Sequence, residues 1–163
     1  MILLADTSIL IDLEYVGGIG ILPYLAPCEV LDVVLAECEN EKQPEIIHHI
    51  KDAGITVVET TLELVAYAST QRRGGVSTND MMTVCYARDN GHVVLAADRP
   101  MRERCTELSV VCRGSLWIVE EAHSRCLLEP VELLRWLSVW PTVGSRLPKA
   151  ELGRLRQILE NNP

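Results

Sequence analysis

The stretch VVLAAD, residues 93–98, decides the fold class. It follows the turn DNG, and its apolar run is typical of a strand that is buried on both faces. The chain begins with a matching stretch, MILLAD, which ends at Asp6. Two apolar strands that each finish on an aspartate indicate a site at one edge of a parallel sheet.

Further strand and helix patterns alternate along the chain. Strands are predicted at residues 1–5, 28–33, 55–59, 92–97 and 109–114. Helices are predicted at residues 8–17, 33–42, 44–54, 61–75, 77–91, 99–108, 115–128, 130–140 and 149–162. This alternation predicts an α/β fold, a three-layer α/β/α sandwich around a central parallel sheet of about four or five strands, with the first strand central.

Two domain segments are expected. Residues 1–130 form the α/β domain, and residues 131–163 form a C-terminal helical extension that packs on the domain or on a partner. WPTVGSRLPK, residues 140–149, is the one linker-like stretch. The helix before it carries Leu133, Trp136, Leu137 and Trp140 on one broad apolar face. That face either joins the core of its own domain or, if exposed, binds a partner.

Composition limits the classes of protein. The chain has 163 residues, 48% of them hydrophobic, which fits one globular domain. Its net charge of −8 argues against bulk electrostatic binding of nucleic acid. No apolar run reaches the roughly 20 residues that cross a membrane, and no basic segment precedes an apolar one at the N-terminus, so we expect a cytoplasmic protein. The six cysteines lack metal-site spacing and are expected to be reduced core residues.

Four acidic residues form the candidate site. Asp6 and Asp98 follow strands, whereas Glu37 and Asp80 lie in or near helices. Each one alone fits a structural role, since aspartate caps helices and STND, residues 77–80, has capping-box spacing. Brought together, however, the four would repel one another, and Mg²⁺ or Mn²⁺ would relieve that repulsion. Helical periodicity does not decide between Glu37 and Glu39.

The chain resembles PIN-domain nucleases in four segments, which occur in the family's order over residues 1–130. These are MILLADTSILIDLE, LAECE, VSTNDMMTVCYARDNGHVVLAADRPMRERC and SVVCRGSLWIVEEAHSRCLL. One position departs from the family pattern. Ala96 stands where the family often has Thr or Ser, two residues before the last aspartate. This substitution removes a supporting hydrogen-bond donor that the family pattern would supply.

The resemblance implies a metal-dependent ribonuclease that uses Mg²⁺ or Mn²⁺ and hydrolyses single-stranded RNA, often as the toxin of a toxin–antitoxin pair. Its metal-binding acids correspond here to Asp6, Glu37, Asp80 and Asp98. The family's small hydroxyl residue corresponds to Thr7 or Ser8. The basic residues that could meet the RNA backbone are Arg72, Arg73, Arg99, Arg102 and Arg104.

The resemblance also implies protein partners, namely an antitoxin protein and a second copy of the chain in a homodimer. A rival interpretation is a non-catalytic PIN-like module that binds RNA or protein through the same fold. The acidic surface and Ala96 favour this rival, and the presence of all four acids favours the enzyme.

Overall fold

Five short parallel strands form the centre of the protein in the computed structural model, which describes residues 1–39 and 42–161. The strands are β1 Leu3–Ala5, β2 Cys28–Leu31, β3 Thr56–Val58, β4 Val93–Leu95 and β5 Cys112–Arg113. The α/β prediction and the strand number are confirmed. The last strand is shorter than predicted, and its half-buried position at the sheet edge agrees with that.

The order of the strands is β3-β2-β1-β4-β5, so the first strand is central, as predicted. All pairs are parallel. From β1 the chain proceeds to β2 and β3 on one side and then crosses back to β4 and β5 on the other. The neighbours β1 and β4 therefore flank the point at which the strand order reverses, which is where open parallel sheets hold their ligands.

Ten α-helices in the described residues surround this sheet. They are α1 Thr7–Val16, α2 Leu22–Leu25, α3 Asp32–Cys38, α4 Ile46–Asp52, α5 Leu62–Gln71, α6 Thr78–Asn90, α7 Arg99–Glu107, α8 Ser115–Ser124, α9 Pro130–Val139 and α10 Lys149–Asn161. Helix α1 packs against α3, α4, α8 and α9, whereas α6 packs against α5, α7 and β4. The two groups give the helix layers of the predicted sandwich.

Helix termini are fixed by short-range signals. Helix α1 ends at Gly17, whose φ of 69° belongs to the left-handed region that glycine adopts without strain. The next residue, Gly18, is buried, and glycine is needed there because of close packing and not because of backbone conformation. A Cβ atom there would lie 2.6 Å from the Trp136 ring, so only glycine lets α9 approach this closely.

The C-terminal helices share the one hydrophobic core. Leu133, Trp136, Leu137 and Trp140 are at most 2% exposed. The apolar face of α9 thus lies inside its own domain, which leaves the expectation of a partner without this support. Helix α10 adds Leu155 and Leu159 to the same core.

The linker-like stretch at residues 140–149 lies between α9 and α10, and most of its residues after Trp140 are exposed. Its first part is a 3-10 helix, Trp140–Val143, and Trp140 is fully buried. The indole Nε1 of Trp140 donates to the carbonyl oxygen of Asp12 at 2.7 Å, which ties this stretch to α1. Proline and glycine mark irregular backbone in the sequence, and the structure has a 3-10 turn followed by coil there.

None of the six cysteines forms a disulfide bond in the described part of the chain. Cys28, Cys38, Cys85 and Cys105 are buried as expected, whereas Cys126 is exposed, so the expectation of a core residue is wrong there. Within the described ranges no single helix is long and apolar enough to cross a membrane. The pair Thr7–Val16 and Ile19–Leu25 has the length and composition only jointly, and it bends by 109°.

Candidate active site

Asp6 is the most buried acid at the carboxyl edge of the sheet. It follows β1, and its backbone N–H donates to the Leu95 carbonyl oxygen of β4 at 3.0 Å. The side chain is 3% exposed. Its Oδ2 accepts hydrogen bonds from the backbone N–H and the hydroxyl of Ser8, at 3.2 and 2.7 Å. Its Oδ1 is buried and has no hydrogen-bond partner.

Burial raises the pKa of Asp6 from 3.8 to about 6. The hydrogen bonds from Ser8 oppose this rise, and the nearby carboxylates of Asp80 and Asp98 add to it. Burial also raises the pKa of Asp98, and Asp80 again contributes by repulsion. The three aspartates therefore lie close enough to act on one another electrostatically, as their predicted convergence requires.

All three aspartates also cap helices. Asp6 caps α1, Asp98 caps α7 through Met101 N at 3.0 Å, and Asp80 completes a capping box with Ser77 at the start of α6. In each case the capping bond goes to Oδ2. Each aspartate therefore has the helix-capping role expected for it. The capping bond uses only Oδ2, so the role is compatible with membership in the acidic cluster.

Glu37 reaches the same edge from α3. Its Oε2 accepts a hydrogen bond from Thr7 Oγ1 at 2.7 Å, and its Oε1 accepts one from the Asn79 amide. Thr7 is adjacent to Asp6 and Asn79 is adjacent to Asp80, so Glu37 is held between the two aspartates. Glu39, the alternative left open by periodicity, lies at the C-terminal end of α3 and is exposed as Glu37 is, but the hydrogen bonds to Thr7 and Asn79 belong to Glu37.

The family's small hydroxyl residue has two counterparts here. Thr7 donates to Glu37, whereas Ser8 donates to Asp6 and accepts from the backbone N–H of Ala97 at 2.9 Å. Ser8 thus links the segment after β1 to the segment after β4. This link stands next to Ala96, whose methyl group offers no hydrogen bond.

The acidic edge carries the donor types, but not the close spacing, of a divalent-cation site. No three His, Cys, Asp or Glu side chains in the described part of the chain lie close enough to hold a metal ion. The chemistry of the edge does fit one, because its donors are carboxylate oxygens, which Mg²⁺ and Mn²⁺ prefer. The buried Oδ1 of Asp6, which has no partner, is the strongest sign, since such a group costs free energy unless a cation or donor satisfies it.

A groove of about 1000 Å³ reaches this edge at Asp98, and Ser8 lines it as well. Its walls come from α1, α7 and residues 143–148, and they carry the half-exposed ring of Tyr15 together with Arg102 and Arg146. The groove therefore connects the acidic edge with Arg102 and Arg146.

The five arginines predicted to contact RNA have different surroundings in the structure. Arg99 and Arg102 line the groove, but Arg99 pairs with Glu103 at 2.6 Å. Arg104 is buried and pairs with Glu107. The Nε of Arg72 donates to the Val76 carbonyl oxygen, and Arg73 lines a separate pocket beside Gly74 and Gly75.

Sequence reasoning missed two features of the site. Asn79 fixes Glu37, but in sequence it is only a residue inside a capping box. Asp12 is a buried carboxylate below the groove, and it accepts hydrogen bonds from Ser115 at 2.8 Å and from Ser145 at 2.5 Å. Burial raises the pKa of Asp12, and the two serines oppose that rise. The polar position of Asp12 within an apolar helix face was the available signal.

Comparison with known proteins agrees with this architecture. A family model described as PIN domain matches residues 2–159. A solved structure of a PilT N-terminus domain protein from the hyperthermophilic archaeon Sulfolobus solfataricus P2 superposes with a TM-score of 0.56 at 14% identity, and the match covers 76% of this chain and 92% of that chain. No curated protein shows significant sequence similarity.

Proposed function

Because the chain belongs to the PIN-domain family, we propose that it is a metal-dependent endoribonuclease that hydrolyses phosphodiester bonds of single-stranded RNA. The observation that carries the proposal is the buried, unpartnered Oδ1 of Asp6 among the carboxylates at the sheet's switch point. Asp6, Glu37, Asp80 and Asp98 are the proposed ligands of Mg²⁺ or Mn²⁺. A bound divalent cation would lower the pKa of a water molecule and stabilise negative charge on the phosphate.

The protein's own residues prepare this site before any ligand arrives. Ser8 holds Asp6 through two hydrogen bonds to Oδ2, which leaves the buried Oδ1 without a hydrogen-bond partner. Thr7 and Asn79 fix both oxygens of Glu37, which prevents the side chain from turning away. Such preorganisation lowers the entropy that is lost when ligand and substrate bind.

Cleavage of a fluorescent, unstructured RNA in the presence of Mn²⁺ or Mg²⁺ tests the proposal. We expect wild-type protein to cut internally and Asp6→Asn and Asp98→Asn to lose at least about a hundredfold in rate, the scale of a lost charge-stabilising group. Asp89→Asn is the matched control, because Asp89 is an exposed carboxylate at the far end of α6. Calorimetry with Mn²⁺ should show binding by wild type and weaker binding by both site variants.

The second candidate is the non-catalytic RNA- or protein-binding module. The observation in its favour is that no three ligating side chains converge among the described residues. RNA binding without cleavage in either cation, and equal Mn²⁺ affinity of wild type and the site variants, would establish it in place of the enzyme.

A toxin role, an antitoxin partner, a homodimer and a cytoplasmic location are further proposals, and family resemblance alone supports them. Co-expression with the neighbouring open reading frame tests the first two, because an antitoxin should copurify and suppress the ribonuclease. Light scattering at micromolar concentration tests the homodimer, and a monomer would contradict it.

A further inference from the structure

The arginines of this protein are unequally satisfied. Six of them pair with carboxylates: Arg88, Arg99, Arg104, Arg125, Arg135 and Arg154. Two others, Arg72 and Arg156, donate to backbone carbonyl oxygens. Within the described residues the remaining four, Arg73, Arg102, Arg113 and Arg146, make no hydrogen bond or ion pair. In a chain of net charge −8, guanidinium groups without a carboxylate partner are available to an anion from outside.

Three of these four arginines line one small pocket. Arg102, Arg113 and Arg146 surround a cavity of about 120 Å³ between α7, β5, α8 and residues 143–148. They come from separate parts of the chain, so the fold and not a basic run in the sequence brings them together. Arg102 lies against the backbone of Gly114, where a Cβ atom would be 3.0 Å from its Nη1. The guanidinium of Arg102 therefore occupies the space that a side chain at position 114 would fill.

The charge balance of the pocket favours an anion. Two glutamates also line it, Glu120 and Glu151. Glu120 already pairs with Arg154, so its charge is largely neutralised. Three unpaired guanidinium groups therefore face one carboxylate without a described ion pair. Arginine matches the geometry of phosphate oxygens with paired N–H donors, which makes phosphate the anion that this pocket fits best.

The pocket is continuous with the groove that begins at the acidic site. Ala97, Arg102, Arg146, Leu147 and Pro148 line both openings. Ala97 directly precedes Asp98, which lines the groove, so the two openings form one surface that reaches the acidic site. A polymer whose one phosphate lies at the carboxylates can follow this surface to the arginines. The surface is acidic at Asp98 and basic at the arginines, so the cleavage centre is separate from the part of the surface that would hold the phosphate backbone of the polymer.

We propose that Arg102, Arg113 and Arg146 form a phosphate-binding subsite that holds the backbone of single-stranded RNA beside the cleavage centre. The inference rests on the proposed function and adds the place where the substrate is gripped. Residues 143–148 would then form one wall of the groove that holds the substrate. Arg113 and Arg146 are positioning residues, because they hold the substrate away from the bond that breaks.

Binding of a fluorescein-labelled oligouridylate in EDTA tests the subsite without cleavage. Fluorescence anisotropy is measured over a range of salt concentrations for wild type, Arg113→Gln, Arg146→Gln and the double variant. Each lost phosphate contact to a single strand should lower the slope of log affinity against log salt by about 0.7, which corresponds to about fivefold weaker binding at about 0.1 M salt. Thermal melts should be unchanged, because neither side chain makes a described bond.

Arg88→Gln is the matched control. It removes the same charge at the C-terminal end of α6, which does not line the pocket and where Arg88 pairs with Asp89. Equal slopes for wild type and the subsite variants, an equal loss in the control, or no binding by wild type would each overturn the subsite. The divalent-cation cleavage assay decides the proposed function separately, since a wild type that cleaves while the variants bind normally keeps the function and loses the subsite.

Discussion

Asp6→Asn should make the metal-free protein more stable at neutral pH, although it destroys the proposed site. A carboxyl whose pKa rises from 3.8 to about 6 on folding reduces folding stability by about 3 kcal/mol when ionised, at about 1.4 kcal/mol per pKa unit. An amide at the buried Oδ1 position lacks that charge. Its N–H groups need partners, which offsets about 1–3 kcal/mol of the gain, so we expect a net stabilisation of up to about 2 kcal/mol.

The pH dependence gives this prediction its sign. The folded pKa of Asp6 lies above the unfolded value, so the folded state binds the proton more tightly. The destabilisation is therefore absent below 3.8, grows as pH rises, and is complete above about 6. The advantage of the variant should be full at about pH 8 and fall to about a third at about pH 4.5.

Urea denaturation in EDTA at the two pH values measures the effect, with Asp89→Asn as the control for a surface charge. For a chain of this size the gain corresponds to a rise in Tm of about 2–4 °C per kcal/mol. Adding Mn²⁺ at about a hundred times its Kd should raise wild-type stability by about 2.7 kcal/mol and leave the variant almost unchanged. A variant that is less stable than wild type by the same amount at both pH values would refute the reasoning.

Three further predictions concern the site and its support. Glu37→Gln should lose RNA cleavage by at least about a hundredfold, whereas Glu39→Gln should cleave as wild type does; equal losses in the RNA assay would contradict the choice of Glu37. Gly18→Ala should lower the free energy of unfolding by about 1–3 kcal/mol because its methyl group meets a buried tryptophan ring, and Gly20→Ala, which meets nothing within 4 Å, should be nearly neutral in the same denaturation experiment. Ser145→Ala should cost about 1–3 kcal/mol, because it leaves a buried carboxylate oxygen unpaired, and should weaken oligouridylate binding in the anisotropy assay; unchanged binding would mean that the groove wall is held by other contacts.

Local patterns account for most of the fold. The apolar runs that end at Asp6 and Asp98 predicted parallel strands and a central first strand, because both signals depend only on neighbouring residues. The capping box at Ser77 was predictable from the sequence because it, too, depends only on neighbouring residues. The exact length of the edge strand was not, since the ladder there stops after two residues and neighbouring Val111 is half exposed.

The parts of the site that sequence reasoning missed depend on long-range contacts. Asn79 reaches Glu37 only because α6 and α3 meet across the switch point. Arg113 and Arg146 acquire a common role only because the C-terminal stretch returns to β5. Pro141 and Gly144 indicated irregular backbone in that stretch, but not that Trp140 and Ser145 tie it to Asp12.

The hydrogen bonds of Asp12 also bear on the order in which the molecule folds. Its partners Ser115, Trp140 and Ser145 lie 103, 128 and 133 residues further along the chain. During synthesis α1 leaves the ribosome long before any of them, and its buried carboxylate has no partner until they arrive. Closing such long loops is entropically costly and slow. The wall of the groove is therefore completed last, and a nascent chain carries the acidic residues without the surface that would present a substrate to them.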